Sequence, residues 1–119
     1  MDNTNVWVYR ETLRGDFDTT TNLIGYDVEA SDGHIGKVDE ASKETTRQYL
    51  VVDTGFWIFG KKRLVPAGVV NRIDHENRNV YLSMTKDQVK QAPDFEENRT
   101  SADEVYYDKF GSYYGEFGR

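Results

Sequence analysis

The stretch from Arg47 to Asp74 reads RQYLVVDTGFWIFGKKRLVPAGVVNRID and holds most of the densest apolar sequence in the chain. Within QYLVVDT, residues 48–54, polar and apolar residues alternate, and this predicts a half-buried strand. Residues 63–65 and 69–74 predict two further short strands. Pro66 has no amide donor, so it predicts a strand end or a sheet edge between them. The stretch therefore predicts a β-rich core.

Two more strands are predicted before this stretch. Residues 23–31 (LIGYDVEAS) and 34–42 (HIGKVDEAS) flank Asp32-Gly33, a strong short-range signal for a β-hairpin. Gly25 and Gly36 interrupt these strands, and glycines inside the strands of small barrels often mark bulges or sharp coiling. This part of the chain therefore predicts a strongly bent hairpin.

A last strand and a short helix are predicted after Asp74. Residues 80–84 (VYLSM) alternate, and the TKDQ that follows fits a capping box in which Thr85 and Gln88 bond each other's backbone. Pro93 ends this helix at Ala92, because the residue before a proline is pushed out of helical geometry.

Taken in order, these segments resemble the PRC-barrel family, named for a domain of the photosynthetic reaction centre H subunit and also found in ribosome-maturation factors. The resemblance rests on LIG at 23–25, DGHIGKV at 32–38, the strand at 49–53, RLVP at 63–66 and VYLSM followed by TKDQVKQAP at 80–93. It implies a mainly β fold: a small, strongly bent barrel of five or six strands with short C-terminal helices. It also implies binding or assembly, because family members scaffold a photosynthetic membrane complex or dock on a ribosomal protein.

The chain divides into three parts. Residues 1–21 form a polar N-terminal arm, expected to be an ordered arm or a short helix, and residues 22–93 form the PRC-barrel-like domain. Residues 94–119 form an acidic, aromatic tail, in which a helix is expected from Ala102 to about Phe110, followed by irregular chain. The net charge of −6 lies in the two ends of the chain. This charge disfavours nucleic acid as a partner, since Lys and Arg supply most affinity for phosphate.

Composition limits the chemistry further. The 119-residue chain has no cysteine, which excludes disulfides, thiolate metal sites and cysteine nucleophiles. The N-terminus has no continuous apolar run and no window approaches a membrane span, so the sequence predicts a soluble, cytoplasmic protein. His34 and His75 are far apart and lack zinc spacing. No P-loop or dinucleotide-binding motif occurs, and we expect no catalytic, cofactor or metal site.

Four consecutive bulky apolar residues, Phe56, Trp57, Ile58 and Phe59, form the tip of the predicted hairpin. They predict a protein-docking edge, because interface hot spots favour aromatic anchors. The alternative is that the chain's own tail or arm covers them. A homodimer through this edge fits both interpretations.

The aromatic stripe of the tail is a second candidate interface. Its residues are spaced four, three and four apart, as on one helical face: Tyr106, Phe110, Tyr113 and Phe117. This segment either docks on the barrel, in cis or across a dimer, or recognises a partner. We expect a non-enzymatic interaction module that self-associates through the hairpin and the tail.

Two alternative functions remain open. One is a small-ligand-binding or hydrolytic domain that uses acids at strand ends and turns, namely Asp27, Asp32, Asp39 and Asp53. The other is an RNA- or ribosome-associated accessory domain, for which Lys61, Lys62 and Arg63 beside the aromatic tip would supply the basic patch.

Overall fold

A computed structural model describes residues 6–9, 22–42, 47–55, 62–93, 95–96 and 104–117. Within these ranges the chain forms six strands: β1 (Asp27–Ala30), β2 (Gly33–Ala41), β3 (Tyr49–Asp53), β4 (Lys62–Pro66), β5 (Val70–Asp74) and β6 (Asn79–Leu82). It also forms helices α1 (Lys86–Lys90) and α2 (Glu104–Tyr114), with 3-10 turns at Ala67–Val69 and Gly115–Phe117. No helix among the described residues is long and apolar enough to cross a membrane.

The strands form one sheet in the order β4-β3-β2-β1-β6-β5. Strands β4 and β5 lie at its opposite edges, yet only the three residues Ala67–Val69 separate them in sequence. Six strands laid flat would put these edges about 24 Å apart, whereas that connection spans at most about 14 Å. The sheet must therefore roll up, although no described pairing joins β4 to β5. This confirms the predicted mainly β, strongly bent barrel.

One row of polar residues crosses all six strands in register. Its members alternate in charge along most of its length: Asp74, Asn79, Asp27, Lys37, Asp53 and Lys62. The neighbouring row carries Ile73, Val80 and Val28. Because successive side chains of a strand point to opposite faces, the first row lies on the outer face and the second faces the core.

Gly36 sits in that inner row, opposite Val28. A Cβ built at Gly36 would lie 2.1 Å from the carbonyl oxygen of Asp53, so no side chain fits. The pairing of β1 with β2 shifts immediately beside it, between Val28 and Glu29. The glycine therefore marks a bulge and a close strand approach, as the sequence predicted.

The ends of the chain share the core of the barrel. A single apolar cluster contains residues of the strands together with Val6 and Tyr9 of the N-terminal arm and four rings of α2, namely Tyr106, Tyr107, Phe110 and Tyr114. Residues 6–9 form a turn, and residues 10–21 of the predicted arm lie outside the described ranges.

Two helices follow the sheet, and the structure confirms the prediction for only one of them. Thr85 and Gln88 form the predicted capping box at the start of α1. Helix α2 continues past Phe110 to Tyr114, so the expectation of irregular chain there was wrong. A helical glycine costs only about 1 kcal/mol relative to alanine. Gly111 is tolerated because Tyr113 and Tyr114 continue to pack beyond it.

Candidate interaction surface

Helix α2 is attached to the rest of the chain by a continuous run of rings, which we call the aromatic seam. In order of contact it comprises Tyr49, Trp7, Tyr107, Tyr106, Phe110, Tyr114, Tyr113 and Phe117. Neighbouring ring centroids are 5.0 to 6.5 Å apart, and most pairs meet edge to face. This is the geometry that aromatic pairs prefer. The seam therefore joins the N-terminal arm, strand β3 and the tail.

The four predicted tail residues take two different positions in this seam. Tyr106 and Phe110 are 2% and 0% exposed, so their side chains are covered by the same chain. Tyr113 and Phe117 are only partly buried. The structure thus brings all four together, and their role in binding another molecule stays a prediction.

Polar contacts fix the two ends of α2. Near its start, Arg47 donates to Glu104 at 2.9 Å. Near its end, the Tyr113 hydroxyl donates to the carbonyl oxygen of Gln88, and the Ser83 hydroxyl donates to that of Phe117 at 2.9 Å. These bonds set the position of the helix along the barrel.

The N-terminal segment Val6–Tyr9 is held by backbone bonds. The amides of Gly68 and Gln48 donate to the carbonyl oxygens of Val6 and Trp7, each at 2.7 Å. A Cβ at Gly68 would lie 2.6 Å from the Val6 oxygen, so only glycine leaves room for this segment. Burial raises the pKa of Tyr9 to about 12.

Several members of the seam were not predicted from the sequence. Tyr107 and Tyr114 follow the stripe residues Tyr106 and Tyr113 by one position, and a wider apolar face of the helix would have included them. Trp7 and Tyr49 carry no comparable signal. They become neighbours of the tail only because the barrel brings residues 47–49 beside the N-terminal segment.

The predicted hairpin residues Phe56, Trp57, Ile58 and Phe59 lie outside the described residues, as does Lys61. The ladder that leads to this hairpin is regular, with Tyr49 to Asp53 paired in register with Pro66 to Lys62. Of the basic residues beside the tip, Lys62 bonds Asp39 at 3.0 Å. Arg63 is 5% exposed and donates to the carbonyl oxygen of Lys90.

Each of the four candidate acids bonds a different partner. Asp27 pairs with Lys37 at 2.7 Å, and this hydrogen bond holds the pKa of Asp27 below its usual value. Asp39 pairs with Lys62. Asp32 accepts the Lys86 amide, and Asp53 accepts the Gly55 amide.

The two histidines also lie apart. His34 bonds Glu29 at 2.6 Å on the outer face, while His75 meets the Tyr26 hydroxyl at 3.1 Å. No group of acids and histidines within the described ranges is arranged to hold a metal ion.

A surface depression of about 360 Å³ lies at one end of β2 and β3. Its polar lining comes from His34, Lys37, Asp53 and Thr54. Only Asp53 of the four candidate acids lines it. The acids therefore do not converge there as a hydrolytic site requires.

Comparison with known families decides the relationship of the chain. The sequence profile of the PRC-barrel domain matches residues 15–89, more than half of the chain. The chain belongs to the PRC-barrel family. The match starts within the predicted arm and ends in α1, so the Val6–Tyr9 segment and α2 lie outside the matched residues.

One similar solved structure is that of RimM, a 16S ribosomal RNA processing protein from Pseudomonas aeruginosa. It has 18% sequence identity to the chain and a TM-score of 0.47. The similarity covers 60% of this chain and 48% of RimM, so this chain spans about half of RimM's length. No curated protein matches the sequence.

Proposed function

We propose that this PRC barrel is a non-catalytic protein-interaction module of the cytoplasm that self-associates. The aromatic seam carries the proposal, because its rings are the means by which the barrel binds a helical segment. The seam ends on Tyr113 and Phe117, which are only partly buried. Aromatic residues are enriched at protein interfaces.

The hairpin supplies the main proposed contact. Its base is fixed by the last rung of the β3–β4 ladder, Asp53 paired with Lys62. The connection beyond this rung carries Phe56, Trp57, Ile58 and Phe59 in succession. We place the dimer contact on these residues, extended by the exposed parts of Tyr113 and Phe117. Tyr106 and Phe110 contribute by holding α2 in place.

Light scattering of the full chain tests this proposal. We expect the mass of a dimer for the unaltered protein and of a monomer for the double variant Trp57→Ser/Phe59→Ser. Val105→Ser is the matched control, because Val105 is 76% exposed on α2 and outside the proposed contact. A monomeric unaltered protein, or an unchanged mass in the double variant, would overturn the proposal.

Catalysis and ligand binding are less well supported. The described candidate acids are engaged in separate pairs, and only Asp53 lines the depression near β2 and β3. Small-ligand binding nevertheless makes a distinct prediction. Asp53→Asn and His34→Gln would then weaken binding of a ligand found by screening, without changing the mass of the protein.

RNA or ribosome association is the remaining alternative, and it depends on the basic residues beside the hairpin. Lys62 is paired with Asp39, and Arg63 is nearly buried. These contacts leave little basic surface among the described residues of this region. A gel shift at low salt that is lost on replacing Lys61 and Lys62 with Ala would favour this alternative over the protein-binding proposal.

A further inference from the structure

The Val6–Tyr9 segment occupies a groove with the features of a peptide-binding site. We call it the arm groove, formed by the amides of Gln48 and Gly68 and by the rings of Tyr49 and Tyr107. Both amides bond carbonyl oxygens of the segment at 2.7 Å. These bonds hold the turn formed by residues 6–9, and the side chains of the segment add further contacts.

Three side chains of the segment are buried or in contact with rings. Val6 and Tyr9 are 5% and 6% exposed. The Trp7 ring stands edge-on to Tyr49 and Tyr107, with centroids 6.2 and 6.0 Å away. The groove therefore fits a short apolar peptide with a tryptophan at its second position and a tyrosine at its fourth.

The four residues Val6–Tyr9 make all of these contacts with the groove. The next described residue is Asn22, and the twelve residues 10–21 join the segment to the barrel. Twelve residues can span up to about 40 Å, which exceeds the 36 Å extent of the molecule along its longest principal axis. The same contacts can therefore form within one molecule or between two.

We propose that the arm groove also takes the Val6–Tyr9 segment of a second copy, so that two molecules exchange arms. Exchange of an identical element is a low-cost route to a dimer, because it needs no new contact surface. This inference rests on the proposed self-association and names a second contact for it, separate from the hairpin. The arms stabilise the dimer, and the hairpin brings the two copies together.

Isotope-filtered NMR on the unaltered chain tests the exchange directly. Equal amounts of labelled and unlabelled protein are unfolded together, refolded and concentrated. We expect cross-peaks between the Trp7 ring of one isotope form and the Tyr107 ring of the other. If all Trp7–Tyr107 cross-peaks arise within one isotope form although the protein is dimeric, arm exchange is wrong and the hairpin dimer stands.

The hairpin variant separates the two contacts. If Trp57→Ser/Phe59→Ser keeps the cross-peaks between isotope forms, arm exchange stands without the hairpin. If the unaltered protein is monomeric at every concentration, both contacts are wrong.

A complementation experiment gives a second readout in a Trp57→Phe background, which keeps a large ring in the hairpin and leaves Trp7 as the remaining tryptophan. One variant loses its arm contacts through Val6→Asp. The other loses its groove through Gly68→Ala, and circular dichroism verifies the sheet in both. On mixing, the intact arm of the second variant should enter the intact groove of the first. We expect the Trp7 emission of the mixture to shift to shorter wavelength than the average of its components. An additive spectrum would overturn the exchange.

Discussion

The guanidinium carbon of Arg47 lies 4.2 Å from the centroid of the Tyr107 ring. It also lies 5.9 Å from the centroid of Trp7, and the guanidinium group bonds Glu104 at 2.9 Å. The Arg47 side chain thus contacts Trp7 of the N-terminal segment and two residues at the start of α2, Glu104 and Tyr107. Only 14% of the Arg47 side chain is exposed, so these interactions are partly desolvated.

Replacing Arg47 with Ala should reduce the free energy of unfolding by about 1 to 2 kcal/mol. A cation over aromatic rings contributes about 0.5 to 2 kcal/mol, and more when it is desolvated. Arg72→Ala is the matched control, since Arg72 covers the Tyr81 ring at 4.3 Å but is exposed on the sheet. Urea denaturation would measure the free energy of unfolding of both variants. An equal loss in the two would show that Arg47 has no special role in attaching α2.

Gly68→Ala should displace the N-terminal segment, because the new Cβ would lie 2.6 Å from the carbonyl oxygen of Val6. We expect Trp7 to become more accessible to a fluorescence quencher while the β-sheet signal in circular dichroism persists. Gly115→Ala should leave quenching unchanged, since a Cβ there meets nothing within 4 Å. Unaltered quenching in Gly68→Ala would contradict the steric role of this glycine.

Phe110→Ala should strongly destabilise the protein. The Phe110 side chain is 0% exposed, and removal of a buried phenylalanine costs about 3 to 5 kcal/mol. Val105→Ala on the same helix should stay within about 0.5 kcal/mol of the unaltered protein, since exposed positions contribute little. Thermal or urea unfolding would compare them. A cost below about 1 kcal/mol at Phe110 would show that α2 is not part of the cooperative core.

Alkaline pH should destabilise the protein. Burial raises the pKa of Tyr9 to about 12. Burial also raises the pKa of Tyr114, and the nearby positive charge of Arg63 offsets only part of this rise. In the unfolded chain both tyrosines titrate near pH 10, the ordinary value for a tyrosine. Their contribution is therefore complete below about pH 10 and is lost as the pH rises towards 12, by about 1.4 kcal/mol per pH unit for each tyrosine.

Urea midpoints measured across this pH range would check the effect. Tyr9→Phe should flatten the pH dependence of the midpoint, because a phenyl ring has no proton to lose. An equally steep dependence in Tyr9→Phe would show that Tyr9 ionises in the folded state as it does in the unfolded chain.

Local sequence rules predicted most of the barrel. Thr85 and Gln88 cap α1 as expected, and Gly36 lies beside a bulge in the β1–β2 pairing. The alternation along β3 predicted one buried face, and this prediction was only partly right. Leu50 and Val52 face the core, but Val51 is also buried, because it pairs with the buried Leu64 on the opposite face. A single strand's pattern carries no information on what covers its second face.

The end of α2 shows the limit of local propensity. The helix was expected to end at about Phe110, just before Gly111, yet it continues to Tyr114. The penalty for a helical glycine is about 1 kcal/mol, and burial of one large ring contributes about 1.5 to 3 kcal/mol. Tertiary packing therefore outweighs the glycine, and this packing is not visible in the sequence of the tail.

The sequence alone determined the order of the strands along the chain, the hairpin turn and the capped helix. Alternation, turn residues and caps act between near neighbours in the chain. Only the tertiary structure decided that Trp7, Arg47 and Tyr107 meet. These residues are far apart in sequence, and they become neighbours because the sheet rolls up and brings its distant segments together.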